Sequence, residues 1–247
     1  MDRALYVGMS GATQTMLAQA VNSHNLANAS TLGFKAQLVE AQAVVVQGNS
    51  LQTRVNVRSS DGGWDSSSGT LQQTNRDLDV AFADKDWLAV QTADGSEAYT
   101  RRGDLQIDNL GRLLTGSGEA VMGEGGPLSV PPASSVSIAS DGTISIVPQG
   151  QSAAAQAVVG RLKVVTAEPS QLLRGADGLM RASAGVQLSS AAGSVVTSGA
   201  LESSNVNLAE SMVNMISLAR QFELQTKLMK SADENAQASS SIMKMGG

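Results

Sequence analysis

The chain has 247 residues, enough for one or two domains with their own cores. Charged residues make up only 16% and aromatics 3%, so a core has to be built from Val, Leu, Ile, Ala and Met, and it is thin for the length. A net charge of -5 argues against a nucleic-acid binder, and the absence of cysteine excludes disulfides, thiol catalysis and Cys-based zinc sites.

Taken in chain order, the first element expected is a helix ending near Asn28. From Ala4 to Phe34 there is no Asp, Glu, Lys or Arg. Leu5, Met9, Ala12, Met16 and Leu26 follow a 4-3 spacing, with Gln19 and Ser23 in the same seam. The run Ala29–Gly33 reads as a turn closed by glycine. A helix with no charged face suggests protein on several sides of it, or else an ordinary buried helix. The start of the chain lacks the long apolar run of a secretory signal, and no stretch is apolar enough to span a membrane.

Residues 36–75 form a connecting region of mixed or extended structure. Leu38–Val46 reads as helix or strand, and the Gly/Ser/Asp-rich stretch 59–69 as loop. Residues 76–200 read as β. Asp94-Gly95, Asp108–Gly111 and Asp141-Gly142 each lie between short β-prone runs and predict three hairpins. Leu162–Val165 adds a strand, while 116–126 and 127–132 read as loop. No parallel βαβ pattern is present.

Residues 201–247 close the chain with a second helix. Asn207 and Glu210 make a variant of the capping box. The expected seam runs through Leu208, Met212, Met215, Ala219, Phe222, Thr226, Met229, Asp233, Ala236, Ser240 and Met243, and Glu223 and Lys227 form an i, i+4 pair. This helix outreaches the first. The fold class is therefore α+β: N- and C-terminal helices (1–35 and 201–247) form a coiled-coil-like domain around an inserted antiparallel β-rich domain (76–200).

Chemistry is hard to find. Phosphate-binding, nucleophile-elbow and zinc-protease motifs are absent. Asp77/Asp79 and Asp84/Asp86 are close carboxylate pairs that read as turn or strand-edge acids. His24, the single histidine, reads as a packing residue. A hydrolase built on His24 is one alternative, and a secreted β-rich binding or adhesin-like module oligomerised by its helices is another. No catalytic residue, metal site or cofactor is assigned.

One segment is more specific. Asn25-Leu26-Ala27-Asn28-Ala29-Ser30-Thr31-Leu32-Gly33-Phe34-Lys35 resembles the N-terminal signature of bacterial flagellar rod and hook proteins, N-x-A-N-x-x-T-x-G-F-K. Leu32 stands where that family commonly has proline. The lead-in Leu201–Asn207, Arg220-Gln221-Phe222-Glu223 and the middle stretch Tyr99-Thr100-Arg101-Arg102-Gly103 are similar to the same family, in the same order. The start of the chain, Met1–Ala12, looks most like its proximal-rod members; the length and single middle domain fit proximal-rod or distal-rod members, the latter as runner-up.

The resemblance implies a structural subunit exported through the flagellar type III apparatus without a cleaved signal. It would assemble with copies of itself and other rod proteins in the periplasmic basal body. It implies subunit-interface roles for Leu5, Met9, Met16, Leu26 and Phe34, and for Met212, Met215, Phe222 and Met229. Asn25, Asn28 and Gly33 would shape the turn, with Asn28 in a left-handed cap and Phe34 anchoring the outgoing chain on a neighbour.

Overall fold

A computed structural model describes residues 2–45, 55–151, 155–193 and 195–245. The chain divides into two compact units, one of Met1–Ala29, Gln37–Trp64 and Val206–Gly247, the other of Ser30–Ala36 and Asp65–Asn205.

The first unit holds the two ends of the chain. Helix α1 (Asp2–Ala27) and helix α2 (Leu208–Met245) pack antiparallel, alongside a hairpin of β1 (Gln37–Val45) and β2 (Val55–Trp64). The expected strand-or-helix segment is thus strand as far as it is described, Val46 lying outside the described residues. The stretch 59–69, expected as loop, is strand through Trp64: backbone pairing with β1 overrides its Gly/Ser/Asp composition. Asn207 caps α2 as expected, its Oδ1 accepting from the amides of Ala209 and Glu210 at 3.1 and 3.3 Å. Lys227 Nζ lies 2.8 Å from Glu223 Oε1, one turn apart on the exposed face.

The second unit is antiparallel β, as the absence of βαβ signals predicts. Strands β3 (Leu71–Gln73) and β4 (Val80–Phe82) lead in. The main sheet takes β5 (Asp86–Gln91), β6 (Glu97–Thr100), β7 (Leu105–Ile107), β8 (Leu113–Thr115), β9 (Ala120–Gly123) and β10 (Gly126–Pro127). A separate sheet is formed by β11 (Ala133–Ile138), β12 (Thr143–Pro148) and β13 (Ala157–Arg161). Then follow β14 (Val164–Thr166), β15 (Leu172–Arg174), β16 (Met180–Ala182), β17 (Ser189–Ser190), β18 (Val196–Ser198) and β19 (Ala200–Glu202). The described path of the main sheet is β15-β16-β6-β5-β9-β8-β7, while β18 pairs with β4 and β19 with β3.

All three predicted hairpins form, as β5–β6, β7–β8 and β11–β12, with registers Gln91↔Glu97, Ile107↔Leu113 and Ile138↔Ile144. Residues 116–132, expected as loop, contain β9 and β10. The inserted Ala120–Gly123 fills the place between β5 and β8, which local patterning could not show. The core is aliphatic, centred on Val80, Leu88, Val90, Leu105, Val121 and Ile144. This is the composition that so few aromatics require.

The first hairpin tip carries a testable charge. Hydrogen bonds from Thr92, then from Ser96, hold the Asp94 carboxyl down at about 2, against an ordinary 3.8. Because the folded value is the lower one, whatever Asp94 adds to stability is present above the ordinary value and is lost as pH falls toward 2. A carboxyl-carbon NMR titration is expected to keep Asp94 ionised at pH 3; a midpoint near 3.8 would show that the turn is not closed in solution.

Candidate functional site: helix faces and the signature turn

On the α1 side the helix pair is joined mainly by small and polar residues. A Cβ added to Gly8 would come within 2.9 Å of Met229 Cγ, and one added to Gly11 within 2.9 Å of Gln225 Nε2. Thr15 Oγ1 lies 3.1 Å from Gln225 Oε1, and Asn22 Nδ2 donates to the Ser211 carbonyl at 2.7 Å. The α1 seam therefore runs through Gly8, Ala12, Thr15, Gln19, Asn22 and Leu26, the α2 seam through Ser211, Met215, Leu218, Phe222, Gln225 and Met229. Both keep a 4-3 spacing.

This corrects half of each predicted seam. Leu26, Met215, Phe222 and Met229 lie where expected, half-buried, as is Leu5. Met9, Met16 and Met212 do not: they are exposed and off the seam. On α1, glycine, alanine and short polar side chains let the large α2 residues pack close, as Met229 does on Gly8, and that leaves Met9, Met16 and Met212 facing outward. Sequence reasoning missed the rest of that outward set. On α1 it includes Tyr6, Val7 and Leu17, and on α2 Val213, Ile216, Leu224 and Leu228. Ile216 is 56% and Leu224 66% exposed. The signal was present, since Val213, Ile216, Leu224 and Leu228 share one helical face, but a second apolar stripe is invisible once one seam has been chosen.

Helix lengths add to this. At about 1.5 Å per residue, the 26 residues of α1 span about 39 Å and the 38 of α2 about 57 Å. With Gly8 opposite Met229, α2 runs on past the start of α1, as the unequal predicted lengths require.

The signature turn can be accounted for residue by residue. Asn25, at the end of α1, grips Gln37 of β1 with both amide atoms, donating to its carbonyl and accepting from its amide at 2.9 Å each. Asn28 does not take the expected left-handed conformation. Asn75 holds the only positive φ found on a non-glycine among the described residues. Asn28 instead caps α1 with its side chain, Nδ2 donating to the His24 carbonyl at 2.9 Å. Gly33 does take positive φ, 65°, and its amide donates to the Glu202 carbonyl at 2.8 Å. Phe34 is buried at 8% exposure, with the Arg174 guanidinium 4.4 Å from its ring centroid. It is thus anchored within its own β unit, where Arg174 also donates to the Lys35 carbonyl at 2.9 Å.

Within the same β unit, Lys35, Arg101 and Glu202 form a buried ion cluster, each side chain 1% exposed. Glu202 Oε1 accepts from Lys35 Nζ at 2.8 Å and from the Gly69 amide at 2.9 Å. Its Oε2 accepts from Arg101 at 2.5 Å. Arg101 spends its remaining donors on the carbonyls of Phe82, Ala83, Asp84 and Asp86. Burial pushes the Lys35 ammonium below its ordinary value, an effect opposed by its bond to Glu202. Asn205 completes the arrangement: Oδ1 accepts from the Ala36 amide at 2.7 Å, and Nδ2 donates to the carbonyls of Asp65 and Ser67 at 3.1 Å.

Enzyme-like features are put to structural use. Asp86 accepts from Thr166, Asp84 from Ser68, and Asp79 pairs with Arg76. Among the described residues no group of three or more His, Cys, Asp or Glu is placed to hold a metal, and no helix is long and apolar enough to cross a membrane.

Paired terminal helices, an antiparallel β unit inserted between them in sequence, and a built signature turn define the class of axial rod and hook proteins. Three family descriptions match in order: flagella basal body rod protein over residues 5–35, flagellar hook protein FlgE/F/G D1 domain over 82–146, and flagellar basal body rod FlgEFG protein C-terminal over 197–242. The chain is 48% identical to the flagellar basal-body rod protein FlgF of Escherichia coli K12 and 46% identical to that of Salmonella typhimurium. Each match covers 99% of this chain and 100% of the relative. It is 32% identical to FlgG of Bacillus subtilis, over 95% of this chain and 96% of that one. The chain belongs to the flagellar basal-body rod protein family, and its full-length likeness is to FlgF.

Proposed function

We propose that this chain is a non-enzymatic structural subunit of the bacterial flagellar basal-body rod, in its proximal part, polymerising through its terminal helices into the shaft that links motor to hook. It reaches that place through the flagellar export apparatus, and its partners are copies of itself and other rod proteins. The observation that carries this reading is the pair of apolar stripes left uncovered after α1 and α2 have packed together. Contiguous exposed apolar side chains on a helix pair mark an association surface.

The interface residues follow from exposure. Met9, Met16 and Met212 are available to a second chain, together with Tyr6, Leu17, Val213, Ile216, Leu224 and Leu228. Leu5, Leu26, Met215, Phe222 and Met229 hold the helix pair and border that surface. The chemistry favours an open, head-to-tail assembly, because the α1 and α2 stripes are different surfaces with no requirement for two-fold closure.

The test is a full chain carrying Ile216→Asp and Leu224→Asp, expressed in a strain lacking the wild-type copy. The expected result is an unfolding midpoint close to wild type, because both positions are already exposed, with loss of swimming and basal bodies missing a rod segment in electron micrographs. Normal swimming by the double variant would sink the proposal.

A further inference from the structure

The sequence motifs quoted above lie far apart in the chain, yet three of them meet in the β unit. Lys35 closes the N-terminal signature, Arg101 sits in Tyr99–Gly103, and Glu202 and Asn205 belong to the C-terminal lead-in. Lys35 and Glu202 are 167 positions apart, and Arg101 and Glu202 are 101 apart. Glu202 holds the turn twice over. Its carbonyl accepts from the Gly33 amide, and its carboxylate pairs with both Lys35 and Arg101. Asn205 then ties down Ala36 by its side chain, while its own amide donates to the Phe34 carbonyl at 3.3 Å.

We infer that Lys35, Arg101, Glu202 and Asn205 form a clasp through which the C-terminal lead-in dictates the order of the N-terminal turn. Two cations buried at this depth are tolerated only with their carboxylate in place. Until β19 is docked against β3, the segment 30–36 has neither its ion pair nor the carbonyl that receives Gly33. The turn therefore closes only when residues 200–205 are docked. The geometry of one end of the molecule is conditional on the other, and the coupling runs through one carboxylate and one amide.

Hydrogen–deuterium exchange on the full-length protein tests this, read at the amides of Gly33, Ala36 and Gly69 and, in the main sheet, Ala89. The Ala89 amide donates to the Lys163 carbonyl and has no bond to the cluster. Asn205→Ala removes the partner of Ala36 but none of the direct partners of Gly33. The expected result is exchange about tenfold or more faster at both Gly33 and Ala36, with Ala89 unchanged. Asn205→Asp keeps the acceptor for Ala36 but sets a carboxylate oxygen against the carbonyls of Asp65 and Ser67, so it restores the protection only in part. Glu202→Gln is expected to release Gly33 and Gly69 together. Acceleration confined to Ala36 would overturn the inference, as would a uniform rise that includes Ala89, since either makes the cluster an ordinary piece of core. If Glu202→Gln does not fold, the two Asn205 variants decide alone.

Discussion

Replacing Glu202 with Leu is expected to lower the stability of the β unit by about 3–5 kcal/mol, the usual cost of breaking a buried ion pair by removing one partner. The size comes from what is left behind. Lys35 and Arg101 stay in a space where their side chains are 1% exposed, and among the described residues no other carboxylate bonds to either of them. The Gly69 amide loses its acceptor as well. The pair's net worth is a different quantity from the cost of breaking it. A triple variant, Lys35→Met, Arg101→Met and Glu202→Leu, removes all three charges and is expected to recover much of the loss, because apolar packing can replace a buried ionic cluster. The recovery will be incomplete, since four carbonyls lose the donor that Arg101 supplies, although Ala83 keeps the Asp86 amide. Denaturant titrations of wild type, single and triple variants measure both numbers. A single variant within about 1 kcal/mol of wild type would mean that water or another group reaches the cluster.

The second large effect is at Gly33. Its φ of 65° is a conformation that costs a side-chain-bearing residue roughly 1–2 kcal/mol. A Cβ there would also lie 2.5 Å from the Arg101 carbonyl carbon and 2.6 Å from its oxygen, which are backbone atoms with little room to move. Overpacking of this kind adds about 1–3 kcal/mol. Gly33→Ala is thus expected to cost about 2–5 kcal/mol in all. Gly95 serves as the control: its φ is 82° and a Cβ there meets nothing within 4 Å, so Gly95→Ala carries the conformational cost alone. Equal losses at the two positions would show that the close approach to Arg101 does not exist in solution.

Both effects sit in the one region where sequence and structure tell different parts of the story. The signature is legible as a motif, and Gly33 was legible as a glycine that a turn demands. Phe34 was not legible as a residue buried under its own β unit, because Arg174 stands far down the chain. Asn28 illustrates a second limit. An asparagine after a helix can cap it through backbone or side chain, and only the position of the His24 carbonyl decides between them.

The helices show the same division. Their existence, the Asn207 cap of α2, the Glu223–Lys227 pair and their 4-3 spacing follow from local composition, and so do the three Asp- or Asn-containing hairpin turns of the insert. Which stripe faces the partner helix does not. Met9 and Ala12, or Met212 and Met215, satisfy the spacing as well as Gly8 and Ala12, or Ser211 and Met215. The choice is made by how closely two backbones can approach, a property of the pair and not of either sequence segment.

By itself the sequence determined the elements, their antiparallel class and the family, because turn chemistry, helix periodicity and a specific motif act over a few neighbouring residues. The tertiary structure alone decided three things: that the small residues pair the helices while Met9, Met16, Met212 and Ile216 face outward, that the Gly-rich stretch before Trp64 is strand, and that Lys35, Arg101 and Glu202 share one buried site. Each depends on partners brought together from distant parts of the chain, and burial and charge pairing are set by those partners.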